Sequence, residues 1–212
     1  MKKSLENLNY SIPHNVYQYL PPEPKRVYLL LHGYLLDGEF MFEKLKDSLP
    51  KNCAIIAPDG PLLVPVKKGD KYSSRYSWYF FDPHTKEYFV QMDPAVDYLK
   101  QTLERLNLNN IPITVIGYSQ GGYLAAKASE LLTDVDTVIG LACKFRNEKF
   151  EFRQRTMLHQ INCHDDLVVD YPDARAEFDK LRDRGNLGQF ISLNNIGHRL
   201  DSTYLSELKK LI

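Results

Sequence analysis

Residues 111–132 read IPITVIGYSQGGYLAAKASELL, and this stretch decides how the rest of the sequence is interpreted. It begins with an apolar, β-branched run that is typical of a buried strand, and it ends with an Ala-rich run that is typical of a helix. Between the two runs lies the pattern G-x-S-x-G, formed by Gly117, Ser119 and Gly121. A serine on a sharp turn between a strand and a helix points its hydroxyl away from the scaffold. The stretch therefore predicts an exposed serine that can act as a nucleophile.

Strand patterns and helical patterns alternate along most of the chain. Strands are expected at 15–20, 26–31, 53–57, 111–116, 137–143, 156–163 and 187–193, and helices at 39–49, 93–107, 121–132, 172–184 and 201–212. Asp93 is expected to cap the second helix, with Pro94 as its first residue. The alternation predicts an α/β fold, in which a mostly parallel, doubly wound sheet carries helices on both faces. We expect one domain spanning residues 1–212.

The composition argues against several classes of protein. Lys and Arg together number 27, as do Asp and Glu, so the net charge of zero gives a nucleic-acid partner no support. No apolar run approaches the roughly 18 residues of a membrane span, and the N-terminus lacks the apolar core of a secretory signal. We interpret Cys53, Cys143 and Cys163 as buried, reduced thiols, which favours a cytoplasmic location.

A histidine is needed beside Ser119, because a serine hydroxyl is a weak nucleophile without a neighbouring base. His198 follows the last predicted strand, on a loop at the edge where doubly wound sheets form their sites. His164 also follows a strand and remains an alternative. His159 lies inside a predicted strand, which is more typical of a packed histidine. We therefore expect His198 to be the base.

The base in turn needs a carboxylate that orients it. Asp165 and Asp166 follow the strand predicted at 156–163, and they lie between Ser119 and His198 in the chain. This position agrees with the order serine, acid, histidine that accompanies the G-x-S-x-G turn. Neighbouring side chains point in different directions, so only one of the two is expected to face the histidine. Asp166 is the preferred acid, and Asp165 remains the alternative.

Acyl transfer also requires N–H donors for the negative charge that develops on the carbonyl oxygen. The Gln120 amide follows the serine directly and begins the helix, so it is expected to be the first donor. The second donor is expected from the loop that follows the strand at 26–31. The Tyr34 amide is preferred in this role, and the Leu35 amide is the alternative.

These motifs together resemble the carboxylesterase/phospholipase family of α/β-hydrolases, which includes bacterial carboxylesterases and the acyl-protein thioesterases. The resemblance lies in blocks at 30–33 (LLHG), 57–61 (APDGP), 77–82 (SWYFFD), 117–122 (GYSQGG), 160–169 (QINCHDDLVV) and 197–198 (GH). Matching these blocks places the family's acid on Asp166 and its catalytic histidine on His198. The resemblance implies the α/β-hydrolase fold and a serine hydrolase that needs no metal or organic cofactor.

Residues 62–91 are rich in aromatic side chains and make a long connection for a compact domain. Such a segment is typical of a binding loop or a lid, and apolar walls suit an acyl chain. The expected substrate-binding residues are Leu35, Leu62, Leu63, Trp78 and Val168.

The sequence thus predicts a serine hydrolase that uses Ser119, Asp166 and His198 to cleave carboxylic esters, or thioesters, of small to medium acyl chains. Its partner is expected to be a small-molecule acyl ester or thioester, and an apolar surface around residues 62–91 leaves a homodimer open. Two alternatives remain. The same fold can hydrolyse an amide, a peptide or a lactone, or it can serve as a binding protein that has lost turnover.

Overall fold

The computed structural model describes residues 13–82 and 84–212, in which a central sheet is flanked by helices. In chain order the elements are β1 (Val16–Tyr19), β2 (Val27–Leu31), α1 (Gly38–Leu45), β3 (Ala54–Pro58), β4 (Leu62–Lys68), β5 (Lys71–Ser77), β6 (Phe80–Asp82), β7 (Glu87–Val90), α2 (Asp93–Arg105), β8 (Ile113–Tyr118), α3 (Gln120–Leu131), β9 (Val135–Leu141), β10 (Met157–Cys163), α4 (Tyr171–Asp183), β11 (Phe190–Leu193) and α5 (Ser202–Leu208). Short 3-10 helices lie at Lys46–Ser48 and Asn147–Lys149.

Seven strands form the central sheet in the order β1-β3-β2-β8-β9-β10-β11. Strand β1 runs antiparallel to β3, and every other pairing in this sheet is parallel. The register places Leu31 of β2 beside Gly117 of β8, and Gly117 beside Gly140 of β9. The carboxyl ends of neighbouring strands therefore meet at one edge of the sheet, where the connecting loops can bring distant side chains together.

Both faces of the sheet are buried, and alternate residues of each strand serve opposite faces. In β2, Val27, Leu29 and Leu31 pack into a core that also contains buried residues of α2, α3 and α4. Tyr28 and Leu30 belong to a second core, which α1 and α5 cover. The expectation of a mostly parallel sheet with helices on both faces is confirmed.

The segment 62–91 contains regular structure that the sequence analysis did not predict. Strands β4 and β5 form one antiparallel hairpin, and β6 and β7 form another. The first hairpin turns at Gly69-Asp70, where Gly69 has a φ of 63°. A Gly-Asp pair between two extended runs is a recognised hairpin signal. Most aromatic residues of this segment therefore lie in two hairpins, while Trp78 and Tyr79 lie in the short connection between them.

Asp93 is not the N-cap of α2, contrary to the sequence-based expectation. Met92 occupies the cap position without a side-chain hydrogen bond, and Asp93 is the first helical residue. Its carboxylate lies 3.5 Å from the Lys127 ammonium on α3. The negative charge of an acidic side chain in the first turn still interacts favourably with the helix dipole.

Two further findings bear on the sequence-based expectations. Cys53, Cys143 and Cys163 are all buried and unpaired with one another, as expected for reduced thiols. Among the helices within 13–82 and 84–212, none has both the length and the apolar composition needed to cross a membrane.

Helix α3 packs unusually close to strand β2, and this contact fixes where the helix begins. A Cβ atom at Gly121 would lie 2.2 Å from the Leu31 carbonyl oxygen, which is far inside van der Waals contact. Only glycine therefore allows the first turn of α3 to rest against the end of β2. The close approach sets the position of the residue that links β8 to α3, which is Ser119.

Candidate active site

Ser119 lies alone between the end of β8 and the start of α3, in a strained backbone conformation. Its φ is 50° and its ψ is −117°, a combination that L-residues with a Cβ atom seldom adopt. The Ser119 amide donates to the Leu141 carbonyl at 2.9 Å, and its own carbonyl accepts from Gly122 at 2.9 Å. A Cβ atom at Gly117 would lie 2.2 Å from the Gly121 carbonyl oxygen, so the tight turn also requires glycine there.

His198 connects Ser119 to Asp166 through two hydrogen bonds. Its Nε2 atom lies 3.0 Å from Ser119 Oγ, and its Nδ1 atom lies 2.7 Å from Asp166 Oδ2. A carboxylate can only accept, so Nδ1 carries the imidazole proton and Nε2 is left to accept from the serine hydroxyl. The structure thus brings together the three side chains that the sequence analysis singled out.

Asp166 is held rigidly, which is unusual for a residue in a loop. Its side chain is fully buried, and its Oδ1 atom accepts from the Val168 and Val169 amides at 2.8 and 3.0 Å. These two bonds leave Oδ2 free to face His198. A carboxylate fixed by backbone amides cannot turn away, so it keeps the imidazole in one orientation and one tautomer.

The alternative acid and base have other partners. Asp165 is exposed, and its Oδ1 atom lies 2.8 Å from the Cys163 thiol and 3.4 Å from the Ile196 amide. The hydrogen bond from Cys163 lowers the pKa of Asp165. His164 is also exposed and stacks on Tyr171, with ring centroids 3.8 Å apart. Neither side chain joins the hydrogen-bonded chain of Ser119, His198 and Asp166.

Two backbone amides near Ser119 are open to a ligand. The Gln120 amide begins α3, where no preceding helical turn supplies an acceptor. The Tyr34 amide makes no hydrogen bond within the described part of the chain, whereas the Leu35 amide donates to the Tyr76 carbonyl at 3.0 Å. A Cβ atom at Gly33 would lie 3.3 Å from the Ser119 Cβ, so the loop carrying Tyr34 runs directly beside the serine.

His32 is a structural residue of the site to which the sequence analysis gave no role. It is fully buried, and its Nε2 accepts from the Gly60 amide at 2.8 Å while Nδ1 donates to the Gly33 carbonyl at 2.7 Å. Its carbonyl accepts from Trp78 Nε1 at 2.8 Å. Burial lowers the pKa of His32 to about 4. A neutral histidine therefore ties the Gly33–Tyr34 loop to two neighbouring segments.

The Gln120 side chain has a second structural task that sequence reasoning missed. Its amide nitrogen donates to Ser77 Oγ at 3.0 Å and to the Tyr79 carbonyl at 2.9 Å. Its amide oxygen accepts from the Trp78 backbone at 3.1 Å. The residue after the serine thus fixes the segment between β5 and β6, a contact that no local sequence pattern encodes.

The expected substrate-binding residues do not line one common pocket in the described part of the chain. Leu62 and Trp78 line a cavity of about 390 Å³ against α2, whose lining includes none of the three residues Ser119, Asp166 and His198. Leu63 and Val168 are largely exposed, and Leu35 is half-buried. Val168 lies two residues after Asp166, and Leu35 directly follows Tyr34. Contact of these side chains with a substrate stays a prediction.

The chemistry of the site follows from its polar groups. Among the described residues, no group of three or more His, Cys, Asp or Glu side chains is arranged to hold a metal ion. The site presents a hydroxyl, an imidazole, a carboxylate and two backbone amides. Such a set can move a proton between a nucleophile and a leaving group, and it can bind an oxygen that becomes negatively charged.

We predict that His32 makes the protein less stable in mild acid. In the unfolded chain the histidine has a pKa near 6.5, whereas in the folded protein the pKa of His32 is about 4. The unfolded state therefore binds more protons between these values, and the free energy of unfolding should fall by about 3 kcal/mol as the pH falls through this window. Urea denaturation at a series of pH values measures this slope.

The matched variants for this experiment are His32→Gln and His84→Asn. A glutamine oxygen at position 32 can accept from the Gly60 amide but does not titrate, so the slope should decrease. His84 is exposed, and its replacement should leave the slope unchanged. A His32→Gln variant with the full wild-type slope would contradict the assignment.

The sequence and the fold were compared with those of known proteins. The family model described as phospholipase/carboxylesterase matches residues 21–212. No sequence among curated proteins is significantly similar to the chain. Many solved structures share its fold. Acyl-protein thioesterase 2 from Zea mays superposes with a TM-score of 0.72 at 19% identity, covering 93% of this chain and 96% of that one.

Two further structures give similar values. Esterase PE8 superposes with a TM-score of 0.75 at 19% identity, covering 94% of this chain and 98% of that one. The carboxylesterase of Bacillus cereus gives a TM-score of 0.71 at 12% identity, with coverages of 93% and 92%. At these identities the structures show a common fold, and the family model covers nearly the whole sequence. The chain therefore belongs to the phospholipase/carboxylesterase family of α/β-hydrolase enzymes.

Proposed function

We propose that this ester hydrolase uses Ser119 as its nucleophile, His198 as its base and Asp166 as the orienting acid. The observation that carries the proposal is the position of the His198 imidazole. One ring nitrogen lies 3.0 Å from the serine hydroxyl and the other lies 2.7 Å from a buried carboxylate. This is the arrangement that serine hydrolases on unrelated folds require, because it removes the hydroxyl proton as the oxygen attacks.

In the first half of the reaction, Ser119 Oγ attacks the carbonyl carbon of the ester and its proton passes to His198 Nε2. The carbonyl electron pair moves onto the carbonyl oxygen, which becomes negatively charged. When this pair returns, the bond to the leaving group breaks, and the proton on Nε2 passes to the departing oxygen or sulfur. An acyl group is then bound covalently to Ser119.

In the second half, water replaces the alcohol or thiol. His198 Nε2 takes a proton from the water, whose oxygen attacks the acyl carbon and again forms an oxyanion. Collapse of this intermediate breaks the bond to Ser119 Oγ, and the imidazole returns its proton to the serine. Asp166 stabilises the imidazolium in both halves without itself taking the proton.

The oxyanion is proposed to be held by the Gln120 and Tyr34 amides. Gln120 is favoured because it begins α3, where the helix dipole adds to the attraction of its N–H group. Tyr34 is favoured over Leu35 because the Leu35 amide already donates to Tyr76, whereas the Gly33–Tyr34 loop borders Ser119. Loss of a single donor of this kind costs about a hundredfold to a thousandfold in kcat in other serine hydrolases.

The substrate is proposed to be an ester or thioester of a small to medium acyl chain. Large apolar side chains stand exposed on the loops that surround the triad: Tyr34, whose own amide is a proposed oxyanion donor, and Leu167 and Val168, which follow the acid. The Tyr34 ring leans edge-on against Phe80, with centroids 6.3 Å apart. These side chains offer an acyl chain apolar contact at the surface. The thioester option is supported by likeness to an acyl-protein thioesterase.

The setting of the enzyme is also a proposal. Its three buried, unpaired thiols are consistent with the reducing cytoplasm. We propose that residues 1–212 act as one catalytic domain, with the 62–91 segment contributing to substrate binding. The Gln120 side chain supports this role, because it joins the nucleophile turn directly to Ser77 and Tyr79 in that segment.

We predict that Ser119→Ala lowers kcat for p-nitrophenyl butyrate by at least about a thousandfold, because no acyl-enzyme can form. Initial-rate assays measure the effect. Ser129→Ala is the matched control, since Ser129 lies further along α3 and its buried hydroxyl, among the described residues, bonds only to the Ala126 carbonyl. Turnover by Ser119→Ala at a rate near that of the control would exclude Ser119 as the nucleophile.

The neighbouring aspartates provide a sharper pair of variants. We expect Asp166→Asn to lower kcat by at least about a hundredfold, because an amide no longer fixes the imidazole tautomer. Asp165→Asn should keep kcat within about tenfold of the wild type, since the Asp165 carboxylate accepts from Cys163 and the Ile196 amide rather than from the His198 ring. The same esterase assay, with thermal unfolding to verify folding, compares the two. A larger loss of kcat in Asp165→Asn than in Asp166→Asn would show that Asp166 is not the orienting acid.

A further inference from the structure

The loop that carries His198 is anchored on either side of the histidine, where Ile196 and Leu200 are buried and Arg199 Nε donates to the Ile196 carbonyl at 3.0 Å. It connects β11 to α5 without regular structure, and both Asn195 and Gly197 adopt left-handed conformations, with φ values of 61° and 67°. Its Ile196 amide reaches Asp165 only at 3.4 Å. A catalytic base needs a well-defined position, because small displacements lengthen the proton-transfer distance. These anchors flank the imidazole, so a contact at His198 itself would fix its position further.

Tyr118 contacts both the backbone and the ring of His198. Its hydroxyl donates to the His198 carbonyl oxygen at 3.2 Å. Its ring stacks on the imidazole at a centroid distance of 5.5 Å and an interplanar angle of 29°. Tyr118 is itself buried, and burial raises its pKa to about 12, so the hydroxyl remains a donor across the working pH range.

The two contacts constrain motions that the triad hydrogen bonds leave free. Ser119 and Asp166 hold opposite edges of the imidazole and so fix its rotation within the ring plane. The Tyr118 ring lies against the face of the imidazole and opposes tilting out of that plane. Phe40 of α1 packs on the Tyr118 ring, at a centroid distance of 6.3 Å, and supports it in the second core.

We propose that Tyr118 is a positioning residue that holds the His198 imidazole in line with the serine hydroxyl. The inference rests on the proposed function, because it assigns His198 the role of base. Of these two adjacent residues, Ser119 then supplies the nucleophile and Tyr118 aligns its base. Tyr118 acts through His198 rather than on the substrate, so its loss should lower kcat and leave KM nearly unchanged.

Three variants test this role: Tyr118→Phe, Tyr118→Leu and the control Tyr204→Phe. Tyr118→Phe removes only the hydrogen bond to the His198 carbonyl, and we expect kcat to fall about three- to tenfold, as for the loss of one buried hydrogen bond. Tyr118→Leu also removes the stacked ring and should lower kcat further. Tyr204 is fully buried in the same core, and its hydroxyl has no partner among the described residues. Tyr204→Phe should therefore match the wild type.

The assay measures kcat and KM for p-nitrophenyl butyrate, with the concentration of active enzyme determined by titration with a fluorophosphonate. This normalisation separates poor alignment from partial unfolding, which thermal denaturation also reports. A smaller kcat with KM within about twofold of the wild type is the expected result. The partial rescue by phenylalanine relative to leucine is expected because the ring is retained.

The proposal is overturned if Tyr118→Phe retains the wild-type kcat, or if its defect lies in KM alone. If Tyr118→Leu does not fold, the Tyr118→Phe result decides the question. Failure of this inference is distinct from failure of the proposed function. An inactive Ser119→Ala together with a fully active Tyr118→Phe refutes only the role of Tyr118, whereas an active Ser119→Ala refutes the nucleophile itself.

Discussion

The turn at Ser119 is the constraint on which the rest of the site depends. A residue with a φ of 50° is strained, and strain of this kind costs on the order of 1–3 kcal/mol unless its surroundings impose it. Here the surroundings do so, because β8 leads directly into α3 and the helix rests against the end of β2 at Gly121. The Leu141 carbonyl of β9 then holds the Ser119 amide. Backbone packing therefore fixes where the Ser119 hydroxyl lies.

The parallel sheet explains how residues far apart in sequence can meet at this hydroxyl. The carboxylate of Asp166 follows β10, and the imidazole of His198 follows β11, two strands that pair in parallel. Both loops leave the sheet at the edge where Ser119 ends β8. Each loop is then fixed by local bonds: the Val168 and Val169 amides hold Asp166, and Tyr118 holds the His198 backbone. The sheet brings the two loops close to Ser119, and these hydrogen bonds orient the carboxylate and the imidazole.

The position of the candidate site could be inferred from sequence because each of its side chains lies at a recognisable boundary. Ser119 lies where a β-branched run becomes an Ala-rich run, and Asp166 and His198 lie just beyond strand patterns. The sequence analysis preferred Asp166 to Asp165 before any resemblance was considered, and the family resemblance placed the acid on the same residue. The structure gives the physical reason, since the Asp166 carboxylate bonds to the amides that follow it. The catalytic roles themselves remain predictions.

Features that depend on tertiary contacts could not be read in this way. The bonds of His32 to Gly60 and of Gln120 to Tyr79 join segments whose proximity no local pattern encodes. The two hairpins within 62–91 have weak strand patterns, and the segment was interpreted as a loop from its aromatic composition rather than as a hairpin from the Gly69-Asp70 turn. Asp93 was wrongly assigned as a cap because a cap and a first-turn acid look alike in sequence.

The central claim is that Ser119 becomes nucleophilic because His198, held by Asp166, removes its proton. The most direct measurement is mass spectrometry of the intact protein and its proteolytic peptides after reaction with a fluorophosphonate. We expect one covalent adduct per chain, located on Ser119, and labelling slowed by at least about a hundredfold in His198→Ala. An adduct on another residue, or equally fast labelling of Ser119 in His198→Ala, would contradict it.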